Sequence, residues 1–190
     1  LDRLETADEL HRELQRLVMS ARLVPLAPLF LSLRRVLRDT ESRFGKLVSL
    51  ATLDRGIEVD ARLVECLRAP LGHLVRNAAD HGIEEPAKRE AAGKKARGTV
   101  SLEADLEAAS LVVRIRDDGQ GIDPVRVGER ARNLGLVLPG ELTPRSLLRL
   151  LTTPGFSTAA TLTDVSGRGV GLDAVARAVQ LLRGSLHLVT

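Results

Sequence analysis

Leu71-Gly-His-Leu-Val-Arg-Asn-Ala-Ala-Asp-His-Gly-Ile-Glu84 carries His73, Asn77 and His81 at intervals of four, so a helix presents all three on one face with Arg76 and Asp80 beside them. Gly82 is placed to terminate that helix. Taken alone, such a face is equally an ordinary solvated polar surface. As a ligand set, two histidines and a carboxylate suggest zinc, but a central asparagine is a poor zinc ligand and no cysteine assists. Magnesium prefers oxygen, keeps several waters and is completed by substrate phosphates, which suits a side-chain amide.

Three further segments follow in order. Asp117-Asp-Gly-Gln-Gly121 comes directly after an alternating, strand-like run. A carboxylate at a strand end accepts a hydrogen bond from an adenine amino group, and Gly119 and Gly121 let backbone lie close to a base. The same residues also make an ordinary acidic turn. Gly155-Phe-Ser-Thr158 supplies a small polar segment able to close over a ligand, with Phe156 as its apolar anchor and Ser157 and Thr158 as polar contacts. Gly167-Arg168-Gly169-Val170-Gly171 directly precedes a helix, which sets unpaired amides and the positive end of the helix dipole where phosphates bind. Its spacing is neither the dinucleotide fingerprint nor a P-loop, and a simple hinge is the competing reading. The four segments together supply a metal-holding amide, a carboxylate for adenine, a lid, and glycines against phosphate.

Outward from these segments, apolar residues at Leu4, Ala7, Leu10, Leu14, Leu17, Ala21 and Val24 predict one amphipathic helix over 1–24, with a heptad-like stripe suited to pairing with other helices. Pro25 and Pro28 break it and mark a boundary. A second helix is expected over 28–44, with Leu29, Phe30, Leu33, Val36 and Leu37 inward. A strand over 46–52 is closed by the Asp54-Arg55-Gly56 turn. Asp60 caps a helix through Cys66, with Pro70 kinking or restarting it. A short surface helix over 86–92 precedes a hairpin of 99–106 and 111–116. Helices near 124–133, 144–151 and 172–182 follow, then a strand over 185–189. The mixture lacks the regular alternation of a doubly wound fold, so an α+β arrangement is expected, with helices layered on one face of a mixed sheet.

Composition excludes several classes. With three Phe and no Trp or Tyr, base-stacking platforms are scarce, and the net charge of +3 comes from Arg dispersed among acids, so no nucleic-acid surface is expected. No apolar run approaches a membrane span and the first residues resemble no signal peptide, so the expectation is a cytoplasmic piece without membrane insertion. The single cysteine, Cys66, permits no internal disulfide and reads as a buried, inert thiol.

The order and spacing of these segments resemble the ATP-binding domain of CheA-type chemotaxis histidine kinases, a branch of the GHKL superfamily that includes gyrase, MutL and chaperone ATPases. The family's asparagine box, first glycine box, lid phenylalanine box and second glycine box match 73–84, 117–123, 154–158 and 166–173. Gly82-Ile83-Glu84 after Asp80-His81, and Ser166-Gly167-Arg168-Gly169-Val170-Gly171, are similar to the CheA-like branch in particular. The likeness extends over about 22–190, including Arg22-Leu23-Val24-Pro25, where relatives usually have Met in place of Leu23.

This resemblance implies a two-layer Bergerat fold over 25–190, and it makes 1–24 similar to the second helix of a dimerisation hairpin whose partner helix is absent. It implies ATP and Mg²⁺ as cofactors, Asn77 as the metal ligand, Asp117 on adenine, and phosphate contacts from the lid and second glycine box. The implied catalytic set is His73, Asn77 and His81, and the implied nucleotide contacts add Arg76, Asp80, Asp117, Gly119, Gly121, Ser157, Thr158, Gly167, Arg168, Gly169, Val170 and Gly171. Hydrolysing relatives have Glu where this chain has His73. The family's closing strands, its phosphotransfer domain with the acceptor histidine, and its coupling domain are expected to be missing here. Implied partners are that phosphotransfer domain, a CheW-like coupling protein with chemoreceptors, a response regulator downstream, and a second copy in a homodimer. A GHKL ATPase, a nucleotide-gated dimeric scaffold and a helical interaction module are the competing functions.

Overall fold

The computed structural model describes residues 10, 22–108, 110–137, 140–156 and 171–189. The chain enters as a short strand, β1 (Leu23–Pro25), paired antiparallel with β3 (Glu58–Asp60) and pinned by Arg22 on Asp60 at 2.7 Å. The helix expected over 1–24 therefore does not reach Leu23 or Val24; Leu10 is helical and exposed, and its other positions up to residue 21 lie outside the described residues.

Helix α1 (Ala27–Phe44) starts with proline in its first turn and buries Leu29, Phe30, Leu33 and Leu37, the three-and-four spacing read from the sequence. Strand β2 (Val48–Leu53) follows, and the turn at 54–57 is closed by Ile57 N–H donating to the Asp54 carbonyl at 3.0 Å. Helix α2 (Ala61–Asn77) is capped by the Asp60 carboxylate, which accepts from Arg62 N–H at 2.8 Å. It runs unbroken through Pro70. The proline removes one backbone donor, but the buried stripe of Val64, Leu71 and Val75 spans it and holds both halves to one core. Cys66 lies two positions from Val64, off that stripe, and is exposed rather than buried. Beyond Asn77 the helix widens into a π-turn (Ala78–Gly82), closed by Ile83 N–H on the Ala78 carbonyl at 2.8 Å.

Helix α3 (Pro86–Ala91) is not a mere surface helix, because Arg89 is only 1 % exposed. Strands β4 (Gly98–Glu107) and β5 (Ser110–Asp117) form the expected hairpin, and β4 also pairs parallel with β2, giving a mixed sheet in the order β2-β4-β5. Val100, Leu102 and Ala104 of β4 are fully buried in one core with α1 and α2. The neighbouring positions Ser101 and Glu103 point to the opposite face, as the two-residue period of a strand requires. Helices α4 (Pro124–Asn133) and α5 (Pro144–Leu151) build a smaller core around Val127, Ala131, Leu147 and Leu150, which also receives Phe156. Helix α6 (Leu172–Leu181) packs along α2.

The strand expected over 185–189 is absent. Those residues pair with no ladder; Leu188 packs into the smaller core, and Leu186 and His187 lie along α5. No helix among the described residues is long and apolar enough to cross a membrane.

Candidate functional site

Helix α2 delivers His73 and Asn77 one turn apart, and the two side chains bond: Asn77 Nδ2 donates to His73 Nε2 at 2.9 Å. Loss of hydration pushes the imidazole pKa down and Arg76 adds to this, while Asp173 opposes and His81 again lowers it. A neutral ring accepts the amide N–H, which leaves Asn77 Oδ1 without a protein partner among the described residues. Asp173 belongs to the first turn of α6, so its influence on His73 sets the start of α6 beside this face of α2. Gly171 occupies the N-cap of α6 in an extended conformation.

Asp117 ends β5 directly opposite Val100, and residues opposite each other in an antiparallel ladder point to one side. Its carboxylate therefore lies on the helix-covered face of the sheet, the same side as α2. One oxygen, Oδ1, accepts Gly119 N–H at 3.0 Å, and Oδ2 has no hydrogen-bond partner among the described residues. Desolvation raises the Asp117 pKa; the Gly119 bond opposes, and the neighbouring Asp118 and Glu84 charges raise it further.

The π-turn and the loop after Asp117 interlock. Gln120 N–H donates to the Gly82 carbonyl at 2.9 Å, and Gln120 Nε2 to the His81 carbonyl at 2.8 Å. A Cβ on Gly119 would lie 2.0 Å from the Gly82 oxygen, and a Cβ on Gly82 only 2.8 Å from Asp117 Oδ1. Gly82 does not end the helix by a left-handed turn; it leaves room for a carboxylate. The π-turn that breaks the α-helical phase after Asn77 is what brings the Asn77 helix end against the Asp117 loop.

Lys46 crosses beneath this junction, donating to the Ala79 carbonyl at 3.2 Å and to the Asp80 carbonyl. Burial lowers its pKa, chiefly against the opposing pull of Asp80. Behind the loop, Glu84 bonds Arg89 at 2.9 Å and Lys94 at 2.7 Å. Burial alone would raise the Glu84 carboxyl, but its hydrogen bonds, that from Lys94 first, hold it below the ordinary glutamate value.

Of the residues expected from sequence, His73, Asn77 and the Gly171 end of α6 lie where α2 meets α6, and Asp117 and Gly119 where the π-turn meets the loop after β5. Arg76 and His81 are exposed at the end of α2, both close enough for their charges to bear on His73. The Asp80 carboxylate stands 3.7 Å from His81 Nε2. Gly121 is exposed with φ 71°. Ser157, Thr158, Gly167, Arg168, Gly169 and Val170 lie outside the described residues.

Sequence reading missed Lys46, Arg89, Lys94, Asp118, Gln120 and Asp173. One signal for Arg89 was available: Pro86-Ala-Lys-Arg-Glu-Ala91 has no large apolar side chain, so something other than hydrophobic burial must anchor it.

Among the described residues no three His, Cys, Asp or Glu side chains converge as a metal site. The donor at hand is the neutral Asn77 Oδ1, a hard oxygen that fits magnesium with phosphates and waters filling the remaining positions.

Residues 66–190 match the family described as histidine kinase-, DNA gyrase B-, and HSP90-like ATPase. The chemotaxis protein CheA of Rhizobium meliloti is 40% identical over 186 residues, covering 97% of this chain and 24% of that relative. The chemotaxis protein CheA of Salmonella typhimurium is 40% identical over 177 residues, 93% of this chain and 26% of the relative. The sensor histidine kinase CheAY of Helicobacter pylori is 36% identical over 179 residues, 93% and 22% respectively. The chain thus spans about a quarter of the length of these curated relatives. With the mixed sheet, the helical layer and the matched segment in agreement, the chain belongs to the family of histidine kinase-, DNA gyrase B- and HSP90-like ATPases.

Proposed function

We propose that this domain binds Mg·ATP and presents the γ-phosphoryl group to a histidine on a separate phosphotransfer domain, as the catalytic domain of a CheA-type chemotaxis kinase. The observation that carries the reading is the register of β5, which sets Asp117 opposite Val100 and so on the side of the sheet covered by the Asn77 helix. In the proposed complex Asp117 Oδ2 accepts the adenine amino group, and Asn77 Oδ1 holds the cation. A magnesium ion held there would neutralise charge on the phosphates. Gly171, at the N-cap of α6, would offer its backbone amide to phosphate oxygens.

The incoming imidazole is nucleophilic when neutral, so the domain has only to position it and stabilise developing charge. The imidazole nitrogen forms the new bond to phosphorus while the bond to the β-phosphate oxygen breaks and ADP leaves with that electron pair. His73, held neutral, fixes the Asn77 amide so that its nitrogen is engaged and its oxygen is free, and it helps orient the terminal phosphate or the incoming ring. The wider proposal places the domain in a cytoplasmic homodimer with a CheW-like coupling protein, chemoreceptors and a downstream response regulator.

The test is transfer of label from γ-labelled ATP to an added phosphotransfer domain. Transfer at a rate that falls about tenfold or more in His73→Gln is expected, the range of a lost positioning contact. Steady hydrolysis without transfer would instead assign a family ATPase, and an unchanged rate in His73→Gln would remove the role given to that residue.

Acid sensitivity follows from Asp117. Its carboxyl must be ionised to accept from adenine, and its pKa lies above the ordinary aspartate value, so ATP affinity is expected to fall on acidification earlier than a free aspartate would dictate. The raised pKa also means that the folded state disfavours the charge: stability falls as pH rises from the ordinary aspartate pKa to the raised one, and the loss is complete above it. Asp117→Asn is therefore expected to raise Tm at neutral pH while lowering ATP affinity about 10- to 100-fold, with that acid dependence removed. Calorimetric melting and titration across pH check both halves.

A further inference from the structure

We infer that Arg89 and Lys94 are positioning residues for purine selectivity, acting through the 117–121 loop; the inference rests on the nucleotide reading above. β5 ends at Asp117, and Asp118 is the first residue beyond it. A slip of one residue would turn Asp118 toward the cleft and Asp117 away from it. The β4–β5 ladder sets the register, and a clamp from behind holds Asp118 away from the cleft. Asp118 Oδ1 accepts Thr99 N–H at 2.9 Å, and Asp118 Oδ2 faces Arg89 Nη2 at 3.1 Å. Arg89 Nη1 donates to the Asp118 carbonyl at 3.1 Å, while Lys94 Nζ donates to that carbonyl at 3.2 Å and to the Gly119 carbonyl at 2.9 Å. Glu84 joins the two cations, and Arg89 Nε is tied to the Lys95 carbonyl at 2.8 Å.

A guanidinium 1 % exposed is an expensive thing to bury, and a paired buried charge adds little net stability over an apolar replacement. Its distinctive product is geometry: both backbone carbonyls that follow Asp117 are fixed, one carboxylate is consumed, and the other is left with a free oxygen on the helix-covered face. Reading a purine amino group requires that kind of fixed acceptor.

The experiment measures, for each protein, the ratio of affinities for Mg·ATP and for the magnesium complex of purine riboside triphosphate, which lacks only the 6-amino group. A ratio is insensitive to the fraction of molecules folded, so a purely structural role would leave it unmoved. The unaltered chain is expected to prefer ATP about 10- to 100-fold, the value of one hydrogen bond to a charged group. Lys94→Met and Arg89→Lys should bring the ratio close to that of Asp117→Asn, near unity, and Lys94→Arg should restore most of it. Should Arg89→Lys fail to fold, the Lys94 pair carries the test, since Lys94 is the more exposed cation. A wild-type ratio retained in Lys94→Met, whatever happens to its Tm, overturns the inference. Failure of the unaltered chain to bind ATP would overturn the nucleotide reading itself and this inference with it.

Discussion

Gly119→Ala is expected to abolish measurable nucleotide binding and to lower stability by about 3 kcal/mol, within the range for forced overpacking together with lost hydrogen bonds. The added methyl carbon would stand 2.0 Å from the Gly82 carbonyl oxygen and 2.3 Å from the carbonyl carbon. Both are backbone atoms, so no rotamer change relieves the contact; the loop and the π-turn must separate. Separation breaks the Gln120 N–H bond to Gly82 and releases the Gln120 side chain from the His81 carbonyl. The same movement carries Asp117 away from the end of α2.

Two neighbouring glycines calibrate this result. A Cβ at Gly82 meets the Asp117 carboxylate at 2.8 Å, a side chain that can swing aside, so Gly82→Ala should weaken affinity more than stability. At Gly121 nothing lies within 4 Å, and the only penalty is its φ of 71°, about 1 kcal/mol for an alanine there. Circular-dichroism melts with nucleotide titrations of the three variants should rank Gly119→Ala far below the others. A Gly119→Ala protein with unchanged Tm and affinity would show that the loop and π-turn are not locked together.

Much of this site was legible in the sequence because the signals are local. Four-residue spacing alone predicts that His73 and Asn77 share a helix face, and they are found hydrogen-bonded. Alternation alone predicts that Asp117 ends a strand of a hairpin, and the ladder of β4 and β5 bears that out. The apolar spacing of α1 is recovered almost residue for residue.

What sequence did not disclose depends on contacts between distant segments. Gly82 looks like a helix stop, yet its missing side chain serves a carboxylate 35 positions later. Arg89 looks like a surface residue in a charged hexapeptide, and only the approach of Asp118 and Glu84 explains its burial. Cys66 was misplaced for a simpler reason, since apolar neighbours at 63, 64 and 67 suggested a buried face from which a helix rotates residue 66 away. Residues 185–189 have the alternation of a strand, but a strand needs a ladder partner, and here the segment lies along α5 instead.

We propose that the Asn77 amide and the Asp117 carboxylate grip one nucleotide from two sides. On this proposal Asn77 would take the larger share of the phosphate end, since its Oδ1 has no protein partner among the described residues and its amide nitrogen is held by His73. Replacement by alanine removes that oxygen and leaves His73 Nε2 without its amide partner, with little change in packing because Asn77 is only partly buried. Asn77→Ala is therefore expected to lose at least about 100-fold in Mg²⁺-dependent affinity, the scale on which removal of a metal-site contact acts, while Tm without nucleotide moves little. The decisive measurement is calorimetric titration of ATP into the unaltered chain and into Asn77→Ala, each with Mg²⁺ and with chelator. Saturable binding that requires Mg²⁺ in the first protein and is lost in the second is the predicted result; equal binding by both proteins, or binding indifferent to Mg²⁺, would contradict it.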